Sequence, residues 1–153
     1  LRLAACMGIP TGVVGPCGFP FAIENLSADK QLRRVVMDYA TLTDVTGHQS
    51  WQAYTESTGH SHGRLLLLTT SGDTHYADFA YREDDTLLVG RESGGVPKEI
   101  HDQADARIRI PLAPGARSLN VVVAAAIVLG EALRQTSSFP LDTGRNKGDE
   151  ASS

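Results

Sequence analysis

The sequence predicts an α/β domain built on a mainly parallel sheet with helices on both faces. Three observations predict it. Leu65 to Thr70 is a continuous apolar run and reads as a central parallel strand, and Thr86 to Val89 and Arg107 to Ile110 read as a second and a third. Helix-compatible segments and loops separate them, which leaves room for the crossovers that parallel strands require. Each run ends in glycine, proline or polar punctuation: Thr69-Thr70-Ser71-Gly72, Gly90-Arg91-Glu92-Ser93-Gly94-Gly95, and Pro111-Leu112-Ala113-Pro114-Gly115-Ala116-Arg117-Ser118.

The other elements follow along the chain. Leu1 to Gly8 reads as the second half of a helix closed by a C-terminal glycine, so a first strand and the start of that helix are expected ahead of Leu1. Thr11 to Val14, closed by Gly15-Pro16, reads as a buried strand, and Cys17 to Asn25 as a loop. Ser27 can cap a helix through Lys30, Leu32, Arg33, Val35 and Val36, and Ser50 another over Trp51 to Glu56. His60-Ser61-His62-Gly63 reads as a turn. Ser118 to Gln135 is the longest helix candidate; it is apolar nearly all round as far as Glu131, which predicts burial on most faces. One domain over residues 1–136 and a disordered, polar tail over 137–153 are expected.

A chain of 153 residues fits one domain and can bury a core without staples. Cys6 and Cys17 lack metal-ligand spacing, which favours a reducing cytoplasm over a disulfide framework. The apolar run Leu119 to Leu129 contains Asn120 and is too short to span a bilayer, so no membrane partner is expected. His60, His62 and His75 have no further ligands beside them, and no metal is expected. The net charge of −4 is not the usual footprint of a nucleic-acid binder. Basic residues nonetheless cluster, as Lys30, Arg33 and Arg34, and as Arg107, Arg109 and Arg117; such clusters are solvated faces or local patches for RNA.

In open α/β sheets, ligands bind at the carboxyl ends of the strands, where glycine lets backbone approach them closely. This pattern alone would suit any nucleotide-binding α/β protein, and neither a Walker A loop nor a dinucleotide fingerprint is present. The residues are more specific. Leu87-Leu88-Val89-Gly90-Arg91-Glu92-Ser93-Gly94-Gly95-Val96-Pro97 resembles the strand and G-x-E-x-x-G-[VIL]-[PS] motif of the SpoU-type RNA ribose 2'-O-methyltransferases. Ile108-Arg109-Ile110-Pro111 through Ser118-Leu119-Asn120-Val121 resembles that family's next motif, I-x-I-P…S-[LM]-N-x-x-x-A, in order and spacing. Leu1 to Cys6 resembles the end of its first motif, N-x-G-x-x-x-R, with Arg2 in the arginine position. Pro16-Cys17-Gly18-Phe19 and Leu32-Arg33-Arg34 to Met37-Asp38-Tyr39 resemble one branch, the single-domain enzymes of the tRNA wobble position. The resemblance covers Arg2 to Gln135.

What the resemblance implies is an α/β domain with a C-terminal deep trefoil knot, a homodimer, tRNA as partner and S-adenosylmethionine held in the knot mainly by backbone groups. By motif position the cofactor contacts fall on Leu68, Thr69, Gly90, Glu92, Ile110, Ser118 and Leu119, and the catalytic positions on Arg2 and Asn120. Arginine stays protonated in proteins and is a poor literal base. Arg2 is therefore expected to orient the ribose hydroxyl and stabilise its developing charge, while a substrate phosphate or water takes the proton. Gly130 stands where several wobble-type relatives carry tyrosine, which bears on the substrate more than on the reaction.

Plainer roles exist for the same residues. Arg2 could be a surface arginine, Glu92 a cap for the helix near Pro97, Asn120 a cap, and Ser118 both cap and cofactor contact. Trp51 and Tyr39 could stack RNA bases, although Trp51 suits core packing. The expected activity is 2'-O-methylation of a wobble nucleotide in tRNA. The alternatives are another tRNA or rRNA position, a catalytically inactive RNA-binding module that binds RNA without the cofactor, or a domain that binds a phosphate nucleotide.

Overall fold

The computed structural model describes residues 1–16, 44–58, 63–91 and 94–141. Expectations for Cys17 to Asn25, the Ser27-capped helix, Lys30, Arg33, Arg34, Tyr39, His60, His62, Glu92 and the tail from residue 142 lie outside these residues.

The described elements are α1 (Arg2–Cys6), β1 (Thr11–Val14), β2 (Val45–His48), α2 (Trp51–Thr58), β3 (Leu65–Leu68), β4 (Thr74–His75), β5 (Thr86–Val89), α3 (Lys98–Gln103), β6 (Ala106–Arg109) and α4 (Val121–Thr136). All strand pairs are parallel. They form two sheets, a pair β1-β2 and a four-stranded sheet in the order β4-β6-β3-β5. The α/β expectation holds, with the strands divided between two sheets.

β3 shows why its sequence is unbroken leucine. Side chains alternate across a sheet, so Leu66 and Leu67 face opposite ways, and each is only 1% exposed. Leu66 joins Ile108, Tyr81 and Val128 of α4 in one core cluster. On the Leu67 face, Arg107 reaches α3: its Nη2 donates to the His101 carbonyl at 2.9 Å and its Nε to His101 Nδ1 at 3.1 Å. His101 Nδ1 also lies 3.9 Å from Asp102 Oδ1. Burying each of Leu66, Leu67, Ile108 and Val128 contributes roughly 1.5–3 kcal/mol.

The link from β3 to β4 sets the topology of the sheet. Leu68 and Thr74 are both in register with Ile108, so β3 and β4 flank β6 at the same height. Residues 69–73 must therefore pass across a face of β6. Gly72 makes this possible, since a Cβ there would lie 2.7 Å from the Ile108 carbonyl carbon and 2.9 Å from the Arg107 oxygen.

Local chemistry closes the remaining elements. Gly8 takes φ +66° just after α1, as the helix-terminating glycine should. Ser50 caps α2, its Oγ accepting from Ala53 N at 3.1 Å. Trp51 Nε1 donates to Gln103 Oε1 at 2.8 Å and so ties α2 to α3. Ser137, at φ 57°, ends α4.

Several expectations change. β1 is only partly covered, with Gly12 exposed, because it lies in a two-stranded sheet. The long helix starts at Val121 rather than Ser118, and its cap is Asn120, whose Oδ1 accepts from Val122 N at 2.9 Å and Val123 N at 3.3 Å. Nor is this helix buried on most faces: Val122 and Val123 are 54% and 50% exposed. Pro97 occupies the N-cap position of α3, which has no side-chain cap bond.

Candidate active site

The three punctuated strand ends lie side by side. Leu68 is in register with Val89 of β5 and Ile108 of β6, and Thr69 N donates to Ile108 O at 2.9 Å. One step further, Gly90, Thr69 and Arg109 form a row at the carboxyl edge, spanning about 10 Å at ordinary strand spacing. Ile110 follows directly.

The start of α4 reaches the same edge. The far end of this helix is fixed at the amino edge: Gln135 Nε2 donates to Phe79 O at 3.0 Å, and Gln135 Oε1 accepts from Tyr81 N at 3.0 Å. Those residues sit beside Arg64, immediately before β3, whose Nη2 donates to Ala80 O at 2.8 Å. With Val128 packed midway against Ile108, α4 runs against the strands. Its start, led in by Ser118, Leu119 and the cap Asn120, is thereby directed toward the carboxyl edge.

Each loop is shaped by backbone rather than by large side chains. After β5 the chain folds on itself, Gly95 N donating to Arg91 O at 2.9 Å and Arg91 N to Gly95 O at 3.2 Å. Only glycine fits at position 90, because a Cβ would lie 2.6 Å from the Gly95 carbonyl carbon. Gly95 itself adopts φ +60°. The loop 113–120 is exposed throughout, with Gly115 at φ +86°. A ligand here would meet backbone N–H and C=O groups of three adjacent strand ends, a cradle suited to a small polar molecule.

Leu68, Thr69, Gly90, Ile110, Ser118, Leu119 and Asn120 thus share one edge, while Glu92 lies outside the described residues. Arg2 is the exposed first residue of α1. Asn120 spends its side-chain oxygen on the helix cap, which makes it at least a positioning group for the first turn of α4. The sequence cluster Arg107, Arg109 and Arg117 divides: Arg107 is engaged by His101, whereas Arg109 and Arg117 are exposed. Arg91 joins the exposed arginines at this edge; strand alternation alone could not reveal it, because it lies past the end of β5. Among the described residues no group of three or more His, Cys, Asp or Glu could hold a metal ion, and no helix is long and apolar enough to cross a membrane.

Comparisons with known proteins bear on this edge. The model of the SpoU rRNA Methylase family matches residues 1–130. A tRNA (cytidine(34)-2'-O)-methyltransferase of Beijerinckia indica is 47% identical over 139 residues, covering 91% of this chain and 83% of the relative. The enzyme of the same name from Escherichia coli K12 is 36% identical over 137 residues, covering 88% and 82%. A solved structure described as giving insights into 2-OH methylation of C/U34 on tRNA superposes with TM-score 0.76 at 31% identity, covering 88% of this chain and 83% of its own. The SpoU methyltransferase AviRb of Streptomyces viridochromogenes, in complex with AdoMet, superposes with TM-score 0.69 at 25% identity, covering 88% and 53%.

Proposed function

Because this chain belongs to the SpoU methylase family, we propose that it methylates the ribose 2'-hydroxyl of the wobble nucleotide in a tRNA anticodon loop, using S-adenosylmethionine. The observation that carries this reading is the convergence of Thr69, Gly90, Ile110 and the first turn of α4 on one glycine-shaped edge. The relatives with 47% and 36% identity extend it to cytidine 34 of tRNA.

The residues present fit the cofactor. Gly90 leaves backbone exposed where a side chain would block approach, and the exposed loop 113–120 can fold over a bound molecule. Leu68, Thr69, Gly90, Ile110, Ser118 and Leu119 would hold it, and Glu92 belongs to the same loop by sequence. S-adenosylmethionine supplies an activated methyl group, so the protein needs no metal and no covalent residue. Its own work is to align donor and hydroxyl, exclude water and steady the charge that grows on the oxygen. Arg2 takes the last role: a helix that feeds a parallel strand runs against it, which directs Arg2 toward the carboxyl side of β1. Asn120 fixes the first turn of α4 from which Leu119 and Ser118 approach the donor.

Two finer features belong to this reading. The C-terminal segment forms a knot, supported by the passage of residues 69–73 across β6 and by the return of α4 from the carboxyl to the amino edge. The protein works as a homodimer, supported by Leu119, Val122 and Val123, which present apolar surface 39%, 54% and 50% exposed at the start of α4.

The deciding experiment is transfer of labelled methyl to unmodified tRNA, followed by nucleoside mapping. Methylation at the ribose of position 34 is expected; transfer to a base, to another position or to no RNA would overturn the reading. Light scattering should report twice the chain mass, and Val122→Asp with Val123→Asp should yield monomer. Acidic residues suit a helix N-terminus, so that loss would come from the interface and not from the helix.

A further inference from the structure

Acidic residues gather at the amino edge of the four-stranded sheet and exposed arginines at its carboxyl edge. At the amino edge stand Glu83, Asp84, Asp85 and Asp105. Asp85 is held by Arg64 at 2.8 Å, and Asp105 accepts from Leu65 N at 2.7 Å. At the carboxyl edge stand Arg91, two residues past Gly90's strand, Arg109, the last residue of β6, and Arg117, three residues before the cap of α4. All three are exposed. No ion pair to a described carboxylate engages them; Asp73, in the link after β3, accepts from Thr74 Oγ1 at 3.3 Å.

Exposed arginines without acidic partners among the described residues, set around a ligand edge in a chain of net charge −4, keep their charge for something that arrives from outside. The guanidinium fork matches phosphate oxygens bidentately. The spacing fits a backbone and not a single phosphate: Arg109 lies about 10 Å from the Gly90 position across two strand spacings. Arg117 enters from a third element.

We infer that Arg91, Arg109 and Arg117 form a clamp on the RNA sugar-phosphate backbone flanking the reactive ribose. The inference rests on the reading of the carboxyl edge as a tRNA-methylating site, and it assigns positioning residues there. The clamp holds the strand by its phosphates and leaves base identity to other contacts. It also bears on RNA binding by an acidic protein, since Glu83, Asp84, Asp85 and Asp105 lie at the opposite edge.

The test is tRNA affinity by fluorescence anisotropy between about 50 and about 200 mM salt, with S-adenosylhomocysteine binding followed by calorimetry on the same samples. Each of Arg91→Gln, Arg109→Gln and Arg117→Gln should flatten the salt dependence by about 0.7–0.9 in log–log slope, the loss of one phosphate contact. Cofactor-product affinity should stay at the wild-type value, which separates lost RNA contact from a misfolded edge. Arg82→Gln, exposed before β5 at the amino edge, should keep the wild-type slope. A triple variant that methylates tRNA and keeps the wild-type slope would overturn the clamp alone. An Arg82→Gln effect as large as the others would also overturn it, because the attraction would then belong to the whole surface. Wild-type protein that binds no tRNA at all would overturn the functional reading, and the clamp with it.

Discussion

Gln135 holds Tyr81 by its backbone: the Gln135 side chain accepts from Tyr81 N and donates to Phe79 O, both at 3.0 Å, across a separation of more than fifty residues. A third bond, from Gln135 Nε2 to Glu131 Oε1 at 2.8 Å, orients the amide along its own helix. Gln135→Ala leaves a part-buried N–H and a part-buried carbonyl without their partner. It should lower stability by about 1–3 kcal/mol, read as an earlier urea midpoint with an unchanged slope. A midpoint equal to that of the wild type would mean water replaces the amide at no cost.

Gly90 and Gly72 should fail in different ways. A Cβ at position 90 collides with Gly95 inside an exposed loop, so Gly90→Ala should distort the cradle and weaken cofactor binding while the protein stays folded. A Cβ at position 72 collides with the backbone of β6, so Gly72→Ala should destabilise the fold itself by about 1–3 kcal/mol. Calorimetry with S-adenosylhomocysteine and urea unfolding, run on both variants, separate the two effects. Identical profiles would refute this division of roles.

Arg2→Ala should slow methyl transfer by about 100–1000-fold, the usual cost of one donor to a developing oxyanion. Cofactor affinity should hardly change, because the contact matters most in the transition state. Arg2→Lys should rescue poorly, since an ammonium does not reproduce the planar fork of donors. Single-turnover transfer to unmodified tRNA is the measurement. Near-normal transfer by the alanine variant would remove Arg2 from the mechanism.

The pH dependence of stability should carry two marks. Hydrogen bonds from Arg134 and Gln135 hold the Glu131 carboxyl down to about 2, against an ordinary value of 4.5. A carboxylate with a depressed folded pKa stabilises the protein fully above 4.5, and the contribution fades as pH falls toward about 2. Burial, with the Glu131 and Asp85 charges adding to it, pushes the Tyr81 phenol up to about 12 from 10.0. Its folded state binds the proton more tightly, so that contribution is intact below pH 10 and fades between 10 and about 12. Urea midpoints across pH should show a shallower acid decline in Glu131→Gln and a shallower alkaline decline in Tyr81→Phe. Unchanged limbs in the variants would assign both declines to other groups.

The sequence made some elements plain and hid others for physical reasons. β3 was legible because a strand covered on both faces needs consecutive apolar residues, and Leu66 and Leu67 supply them on opposite sides. Gly8 and Ser50 were legible because cap chemistry is local. β2, Val45–His48, and β4, Thr74–His75, were not: both are short and polar, and they exist as strands only by pairing with β1 and β6. Which part of α4 stays exposed in a single chain was not legible, because an apolar sequence does not say whether its cover comes from the same chain. Of the candidate site, the three strand ends could be read from their punctuation. Their alignment could not, since register depends on partners far apart in sequence. Arg107 looked like Arg109 and Arg117 until the fold set His101 beside it.

The passage of residues 69–73 across β6 makes β3, this link and β4 a clasp of two parallel strands, bonded to the two edges of β6. A clasp can be opened at its bend. A chain cut between Thr70 and Ser71 keeps both ladders but opens the arm that crosses β6. Two fragments divided there would dock as halves of a lid and its seat, and each new terminus would lie at the exposed rim where the ligand is expected. The same bend is where a flexible insertion would slacken the grip on β6 without touching a core side chain.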